Sequence, residues 1–466
     1  MATLGDSKNS TKKGSSNQDQ GSESTNETHL SLEEEEILHQ NKAGKREETF
    51  RSIILNEGIE TAGLKCIFYL FGITLIGVLS TLPQTLIPAH DLIRYPEFWY
   101  EILIHGIFAI IPFYIFTCVL TASLLNLEYL LLKENIFFVT LIGTITFYAC
   151  LLSSFYIWTQ ILDYQFPIPF LGLIITLSMH VFARLLIWIR FPDEWRRNNE
   201  FKKRILFYLS YTIFTIVLVV WYKILLRKIQ MADEYHQPFV AFALPITREL
   251  SIWINSKFVE NCSNGDKKGG RILLQYTMAT SYTILLCYVI GAFATETTSW
   301  TLVGLDFSIN IFNCVWIVWT RKRNPNNVQK QIDLLQDLVI YELVEFHSPL
   351  SFILVISVAF YGPNAEIFGN VGNSYWGFSA IEDIHLTLMN MGRIFLFDFC
   401  STLVSACILW LTCEISLWKA MLELQKEFSS YFSLALGYYL IVVCKLIFEP
   451  ENHFCINISY PKLYMH

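Results

Sequence analysis

Long apolar runs recur along this chain from Lys65 to Phe448, separated by short polar connectors. There are about ten of them, each of roughly 18 to 28 residues, and as α-helices they are long enough to cross the ~30 Å hydrocarbon core of a bilayer. This pattern predicts an all-α polytopic integral membrane protein, a bundle of about 10–11 transmembrane helices. The runs occupy residues 65–83, 103–125, 136–159, 168–190, 205–226, 272–295, 299–320, 349–362 with an amphipathic lead-in, 388–413 and 429–448.

The first 58 residues have a different pattern. They are rich in Ser, Glu, Lys and Asn and poor in branched and aromatic apolar residues, so they bury too little surface to offset the entropy of ordering. We therefore expect a disordered tail over residues 1–58, a transmembrane bundle over 59–448 and a short C-terminal tail over 449–466. Near the end of the N-terminal tail, residues 32–58 form either a helix on the membrane surface or a solvated linker.

Basic residues beside the apolar runs indicate the orientation, because short loops rich in Lys and Arg stay on the cytoplasmic side. The strongest cluster, within residues 190–204, places that loop and the N-terminus in the cytoplasm. The basic stretch 320–330 is cytoplasmic as well if the segment 238–256 crosses the membrane. This map has eleven spans and an external C-terminal tail, in which Asn457 is a glycosylation candidate. The alternative is ten spans with 238–256 as a re-entrant segment.

Composition agrees with a membrane location and argues against several enzyme classes. Of the 466 residues, 53% are hydrophobic and 16% are charged, against roughly 25% charged in a typical soluble domain. Most of the 11 cysteines lie within or beside apolar runs, and no Cys/His spacing suits zinc, so we expect no metal site. The chain has no phosphate-binding loop, no G-x-S-x-G and no H-E-x-x-H motif. We expect no cofactor and no nucleic-acid partner.

A polar stripe interrupts the apolar run 299–320. Asp306, Asn310 and Asn313 are spaced at i, i+4 and i+7, which places them on one narrow face of a helix. Lipid cannot satisfy their hydrogen bonds, so this face must meet the bundle interior or a wet cavity. The stripe is either a path for a cation, a proton or a polar ligand, or a hydrogen-bonded seam that holds helices together.

A second group of charged residues lies in the run 388–413. A guanidinium near the membrane needs a counter-ion, and Asp398 lies about 140° round the helix from Arg393, too far to be its partner on the same face. We therefore expect a partner from another helix, with Asp306 as the candidate. The alternative places Arg393 near the external end of its helix, with its side chain reaching toward lipid headgroups.

Two further candidates for a ligand or ion path come from other runs. His180 lies within the fourth run, where a buried imidazole suits proton transfer. Arg248 and Glu249 follow Pro245 in the segment 238–256, which has the character of a broken membrane helix. Such helices present backbone groups and helix ends to substrates at mid-membrane. The alternative for this segment is a loop packed on the bundle surface.

Acidic residues also precede the eighth run. Residues 333–347 include Asp337, Glu342, Glu345 and His347, and they suit a solvated helical face that leads into the apolar run.

Three functions from different classes fit these features. We expect a transporter or channel that moves a small solute or ion along a polar path lined by Asp306, Asn310 and Asn313, with Arg393 and the 238–256 segment nearby. The alternative is a membrane receptor or scaffold, in which the stripe is structural and the N-terminal tail binds a cytoplasmic partner. A membrane-embedded transferase that uses a single histidine is the third. In each case the chain lies in the lipid bilayer of the plasma membrane or an endomembrane.

Overall fold

The computed structural model describes residues 32–55, 62–87, 101–157, 171–262, 267–292, 294–363 and 384–448. Asn457 and most of the two predicted tails lie outside these residues. Within the described ranges the chain forms helices and no strand. The helices are α1 (Leu32–Ile54), α2 (Ala62–Leu79), α3 (Leu82–Leu86), α4 (Glu101–Leu125), α5 (Lys133–Tyr156), α6 (Leu171–Arg190), α7 (Asp193–Arg197), α8 (Asn199–Met231), α9 (Gln237–Ala241), α10 (Ala243–Cys262), α11 (Lys267–Ala292), α12 (Glu296–Arg323), α13 (Val328–Tyr361), α14 (Ile384–Cys413) and α15 (Leu417–Phe448).

Seven helices in the described part of the chain are long and apolar enough to cross a membrane, namely α2, α4, α5, α11, α12, α13 and α14. This agrees with an all-helical membrane fold but is fewer than the 10–11 spans that the apolar runs predict. The helices α6, α8, α10 and α15 also have 20 residues or more, and their crossing stays a prediction. α10 is less apolar because its 20 residues include Arg248, Glu249, Lys257 and Glu260.

α1 packs across one end of the bundle, which we call the inner end. It buries Phe50 and Ile54 against the other helices. At the start of α11, Lys268 Nζ lies 2.7 Å from Glu47 Oε1. Near the end of α12, Arg321 Nη1 donates to the carbonyl oxygen of Ile54 at 3.0 Å. Within the segment 32–58, Leu32–Ile54 thus form a helix, and its position on a membrane surface stays a prediction.

The segment 238–256 is helical and broken, although not at the position that its sequence suggests. The break falls at Phe242, between α9 and α10, whereas Pro245 lies in the first turn of α10, where its missing N–H costs no hydrogen bond. At the outer end of the bundle, opposite α1, Gln237 Oε1 accepts from the backbone N–H of Thr295 at 2.7 Å. α10 therefore starts near the outer end and finishes just before α11 begins at the inner end.

α11 and α13 form the centre of the bundle. About 94% of the apolar part of α11 and 78% of that of α13 is buried by the surrounding helices. α13 continues as one helix from Val328 through the predicted lead-in to Tyr361. Glu342 and Glu345 are consequently 0% and 1% exposed, and His347 is fully buried too. The expected solvated face over residues 333–347 is therefore wrong for its second half, because neighbouring helices cover α13 on all sides.

Small residues let α2 and α15 approach closely. A Cβ atom added at Gly77 would lie 2.8 Å from Leu436 Cδ2, and one at Gly437 would lie 2.1 Å from Ser80 Oγ. Helices in membranes associate through such small residues, since close backbone approach increases the van der Waals contact between them.

Candidate functional site

The polar stripe of α12 faces the interior of the bundle. Asp306 and Asn310 are 6% and 1% exposed. Asn313 is only half-buried, because the buried face of the helix continues through Cys314 and Ile317. Two of the three stripe residues therefore belong to the interior.

The counter-ion of Asp306 is Arg248, and the expected pairing of Asp306 with Arg393 is wrong. Arg248 Nη1 donates to Asp306 Oδ1 at 3.1 Å, and both side chains are buried. The long side chain of Arg248 supplies the positive charge from α10. On α14 it is Asp398 that lies close to Asp306, and Arg393, five residues earlier, lies about 140° round that helix.

Aromatic rings and a second acid hold the Arg248 guanidinium in place. Its carbon atom lies 4.6 Å from the ring centroid of Tyr282 and 5.2 Å from that of Tyr341. Its Nε atom donates to Glu249 Oε1 at 2.9 Å. Glu249 itself is 52% exposed, so of this adjacent pair only Arg248 enters the interior. Cation–π contacts of this kind are strongest where the cation is desolvated.

Three carboxylates from three helices meet in the interior, and we call them the carboxylate cluster. One oxygen each from Asp306 of α12, Glu345 of α13 and Asp398 of α14 lies within 4.8 Å of the other two. All three residues are buried. Glu345 is residue 18 of the 34 in α13, and Asp398 is residue 15 of the 30 in α14. The cluster therefore lies near the mid-height of both helices.

The carboxylate cluster is only partly hydrogen-bonded. Asn310 Nδ2 donates to Glu345 Oε2. Glu345 Oε1 and Asp398 Oδ2 are buried and accept no hydrogen bond from the described residues. One turn earlier on α13, Glu342 Oε2 accepts from Thr402 Oγ1, while its Oε1 is also unbonded. A buried, unpaired carboxylate costs several kcal/mol, so this region of the bundle requires protons or cations.

Carboxylate oxygens are hard ligands, of the type that binds Ca²⁺, Mg²⁺ and Mn²⁺. The expectation that the chain has no metal site depends on Cys and His spacing along the sequence. That criterion cannot detect carboxylates that three separate helices bring together. The described residues therefore include one set with the chemistry to hold a metal ion.

Arg393 lies at the edge of the bundle near the outer end. Its Nη1 atom is 3.3 Å from Asn390 Oδ1 and 3.9 Å from Glu296 Oε1, and its guanidinium lies 5.7 Å from the ring centroid of Trp300. A cavity of about 10 Å³ lies here between α11, α12 and α14, with Ser299, Asn390 and Arg393 in its wall. This volume holds about one water molecule.

His180 lies in a different part of the bundle. Its ring packs edge-on against Phe113 with centroids 5.0 Å apart. One turn later, Arg184 Nε donates to Thr212 Oγ1 at 3.3 Å and the guanidinium lies 5.1 Å from the ring centroid of Tyr208. Among the described residues no contact joins His180 to the carboxylate cluster, so the structure separates it from the other candidates.

The sequence pattern predicts a solvated face for Glu342 and Glu345, whereas the structure buries both residues. Apolar residues flank them closely, in the stretch Leu-Val-Ile-Tyr-Glu-Leu-Val-Glu-Phe over residues 338–346. A helix with this pattern has no continuous polar face that water can cover. The apolar flanks are thus the signal that points to burial of both acids.

No known protein family, curated protein or solved structure matches this chain.

Proposed function

We propose that this chain is a multi-pass membrane protein that moves a small cation along a polar path through its helical bundle, as a transporter or a channel. Seven long apolar helices support a membrane location. The observation that carries the proposal is the carboxylate cluster, in which Asp306, Glu345 and Asp398 lie side by side in the interior. Ionisable groups buried among membrane helices typically mark ion and proton pathways.

The charge of the cluster favours a cation as cargo. Its three carboxylates have one guanidinium beside them, and Asp306 shares that guanidinium with Glu249. On insertion scales an Asp at the centre of a membrane helix costs about 3 kcal/mol. A proton or metal cation that enters the interior removes this cost, whereas an anion adds to it.

The small cavity near Arg393 supports a route to the cluster from the outer end. Its wall includes Val303 and Ile394, which lie three residues before Asp306 and four before Asp398. Each interval is about one helical turn. Because all three acids are buried, a transporter that closes around its cargo fits better than an open pore.

Charge at the inner end supports a cytoplasmic N-terminus. The basic residues Lys268, Arg271 and Arg321 lie at this end, on the same side as α1. Short basic loops stay in the cytoplasm. With α6, α8, α10 and α15 as additional spans, the chain crosses the membrane eleven times and its C-terminal tail is external.

A second candidate function is a membrane receptor or scaffold. The observation in its favour is that Asp306 and Asn310 both bond to other helices, as a structural seam requires. A seam does not explain the unbonded oxygens of Glu345 and Asp398, since a structural network is stable when every member is satisfied. We therefore rank transport above it.

Flux in proteoliposomes tests the proposal. Purified full-length protein is reconstituted, and uptake of H⁺, Na⁺, K⁺, Mg²⁺, Ca²⁺ and Mn²⁺ is measured against empty liposomes. Glu345→Gln and Asp398→Asn should reduce flux about tenfold or more, since each removes a charge that binds the cation. Glu260→Gln makes the same change at an exposed position and should leave flux unchanged.

These variants should still fold, because an amide removes an unpaired buried charge while keeping the size of the side chain. Elution as a single peak in gel filtration checks this. Absence of flux for every cation tested, or equal flux in Glu345→Gln, Asp398→Asn and wild type, would refute the proposal.

A further inference from the structure

The geometry of the carboxylate cluster suits a bound metal cation. Its oxygens from Asp306, Glu345 and Asp398 lie within 4.8 Å of one another. Ca²⁺ binds oxygen at about 2.3–2.6 Å, so two of its ligand oxygens are at most about 5.2 Å apart, a limit that all three oxygens meet. We propose that these three residues bind a divalent cation of the size of Ca²⁺. The statement that this ion is transported rests on the proposed function. The binding site does not depend on it.

A buried carboxylate oxygen without a hydrogen-bond partner supports the presence of a ligand site at the cluster. Asp398 is 6% exposed, and its Oδ2 atom is buried without a hydrogen bond from any residue that the structure describes. The side chain projects from α14 toward oxygens of Asp306 and Glu345 on two other helices. A buried carboxylate oxygen that accepts no hydrogen bond is strongly unfavourable. A cation between the three acids satisfies these oxygens together.

The charge count favours a divalent ion. The three carboxylates of the cluster and the guanidinium of Arg248 leave two negative charges there, which a divalent cation neutralises. Sodium or potassium would leave one charge uncompensated in a region of low dielectric constant. The three carboxylates bring together one oxygen each, and their second oxygens can raise this number to six, within the range of six to eight ligands that Ca²⁺ takes.

Glu342 completes this account without acting as a ligand. Thr402 Oγ1 lies within hydrogen-bond distance of both Glu342 Oε2 and the carbonyl oxygen of Asp398, the latter at 3.1 Å. A hydroxyl group has one hydrogen to donate. Whether this hydrogen is donated to Glu342 or to the carbonyl, Thr402 holds Glu342 apart from the three oxygens that meet in the cluster. The replacement of Glu342 by glutamine is nearly isosteric.

The burial of the cluster favours Ca²⁺ over Mg²⁺. Mg²⁺ gives up its water reluctantly and usually keeps several water ligands. Asp306, Glu345 and Asp398 are 6%, 1% and 6% exposed, which leaves little access for water. A cation that exchanges its water for protein oxygens readily therefore fits this site better.

Calcium titration tests the inference. Full-length protein in detergent is freed of metal with EGTA, exchanged into chelator-free buffer and titrated with CaCl₂ by calorimetry. We expect one Ca²⁺ per chain and weaker binding of MgCl₂. Glu345→Gln and Asp398→Asn should weaken Ca²⁺ binding by about 100-fold, at least as much as the loss of an outer-shell partner does. Glu342→Gln is the matched control, one turn away on the same helix, and should bind as wild type does.

Thermal unfolding provides a second measurement on the same proteins. Saturating CaCl₂ should raise the Tm of wild type and of Glu342→Gln, and should not raise that of Glu345→Gln or Asp398→Asn. No Ca²⁺ binding to wild type, or a loss in Glu342→Gln equal to that in Glu345→Gln, would overturn the ligand set. If the protein moves cations but does not bind Ca²⁺, this site is refuted and the proposed function stands. If it binds Ca²⁺ but moves no cation, the site stands and the proposed function is refuted.

Discussion

Replacing Arg248 by methionine, with Asp306 left in place, removes a buried guanidinium and leaves its carboxylate partner unneutralised. The side chain of Arg248 is 2% exposed and that of Asp306 is 8% exposed, with 3.1 Å between the bonded atoms. Methionine fills a similar volume and adapts to irregular space, so the loss of charge dominates over the loss of packing. The cation–π contacts of Arg248 with Tyr282 and Tyr341 are lost as well.

The magnitude follows from the burial of this pair. At an effective dielectric constant of about 20, unit charges ~4 Å apart attract by about 4 kcal/mol. Removing one partner of a buried pair costs about 3–5 kcal/mol, which agrees with that figure. For 466 residues, an unfolding entropy of about 2.1 cal/mol/K per residue amounts to roughly 1 kcal/mol/K. Arg248→Met should therefore lower the Tm by about 3–5 °C.

The assay is a double-mutant cycle on purified protein in one detergent, with EGTA present. Asp306→Leu alone should also lower the Tm, because it leaves the buried guanidinium with only the half-exposed Glu249 as its counter-ion. The double variant Arg248→Met/Asp306→Leu should recover most of the Tm, since apolar replacement of a buried pair is often neutral. Lys203→Met breaks an exposed pair with Glu200 and should shift the Tm by less than about 1 °C.

Two results would refute this reasoning. One is an Arg248→Met protein as stable as wild type, which would mean that Asp306 does not depend on this guanidinium. The other is a double variant whose loss equals the sum of the single losses, since independent sites add and a charge pair does not.

Two smaller changes test the packing of the bundle. Gly437→Ala should lower the Tm, because the new Cβ would lie 2.1 Å from Ser80 Oγ and overpacking costs about 1–3 kcal/mol. The control is Gly72→Ala, where the new Cβ has no other atom within 4 Å. It should be neutral or stabilise the protein by about 0.5–1 kcal/mol through helix propensity. Arg46→Ala removes a side chain of α1 that is 4% exposed and forms a salt bridge with Glu427, so it should cost about 1–3 kcal/mol of stability. Lys203→Ala breaks an exposed pair and should cost less than about 1 kcal/mol. Thermal unfolding measures both, and equal losses would contradict the packing of α1 against the bundle.

The helical architecture follows closely from the apolar pattern. A run of about 18 or more apolar residues satisfies its backbone hydrogen bonds within a single helix, so its structure depends little on distant residues. Each predicted run between 65 and 448 accordingly overlaps a helix over most of its described residues. The pattern also identifies Asp306 and Asn310 as interior residues, because their spacing fixes the face that they share.

The partners of these residues do not follow from the pattern. Asp306 pairs with Arg248, 58 residues away, and not with Arg393 of α14. Both arginines are in helices near α12, and the choice between them depends on how far each helix is rotated about its own axis. That rotation is set by side-chain packing along the whole helix and cannot be read from the spacing of the charges.

The sequence by itself determined which segments are helices, which of them carry charged residues, and which ends are basic, because these properties depend on residues that are neighbours along the chain. The tertiary structure decided that Glu345 is buried, that Asn313 is half-buried, and that three acids from α12, α13 and α14 meet. Those contacts join residues on separate helices, and they depend on the height and rotation of each helix in the bundle, which are fixed when the helices pack together.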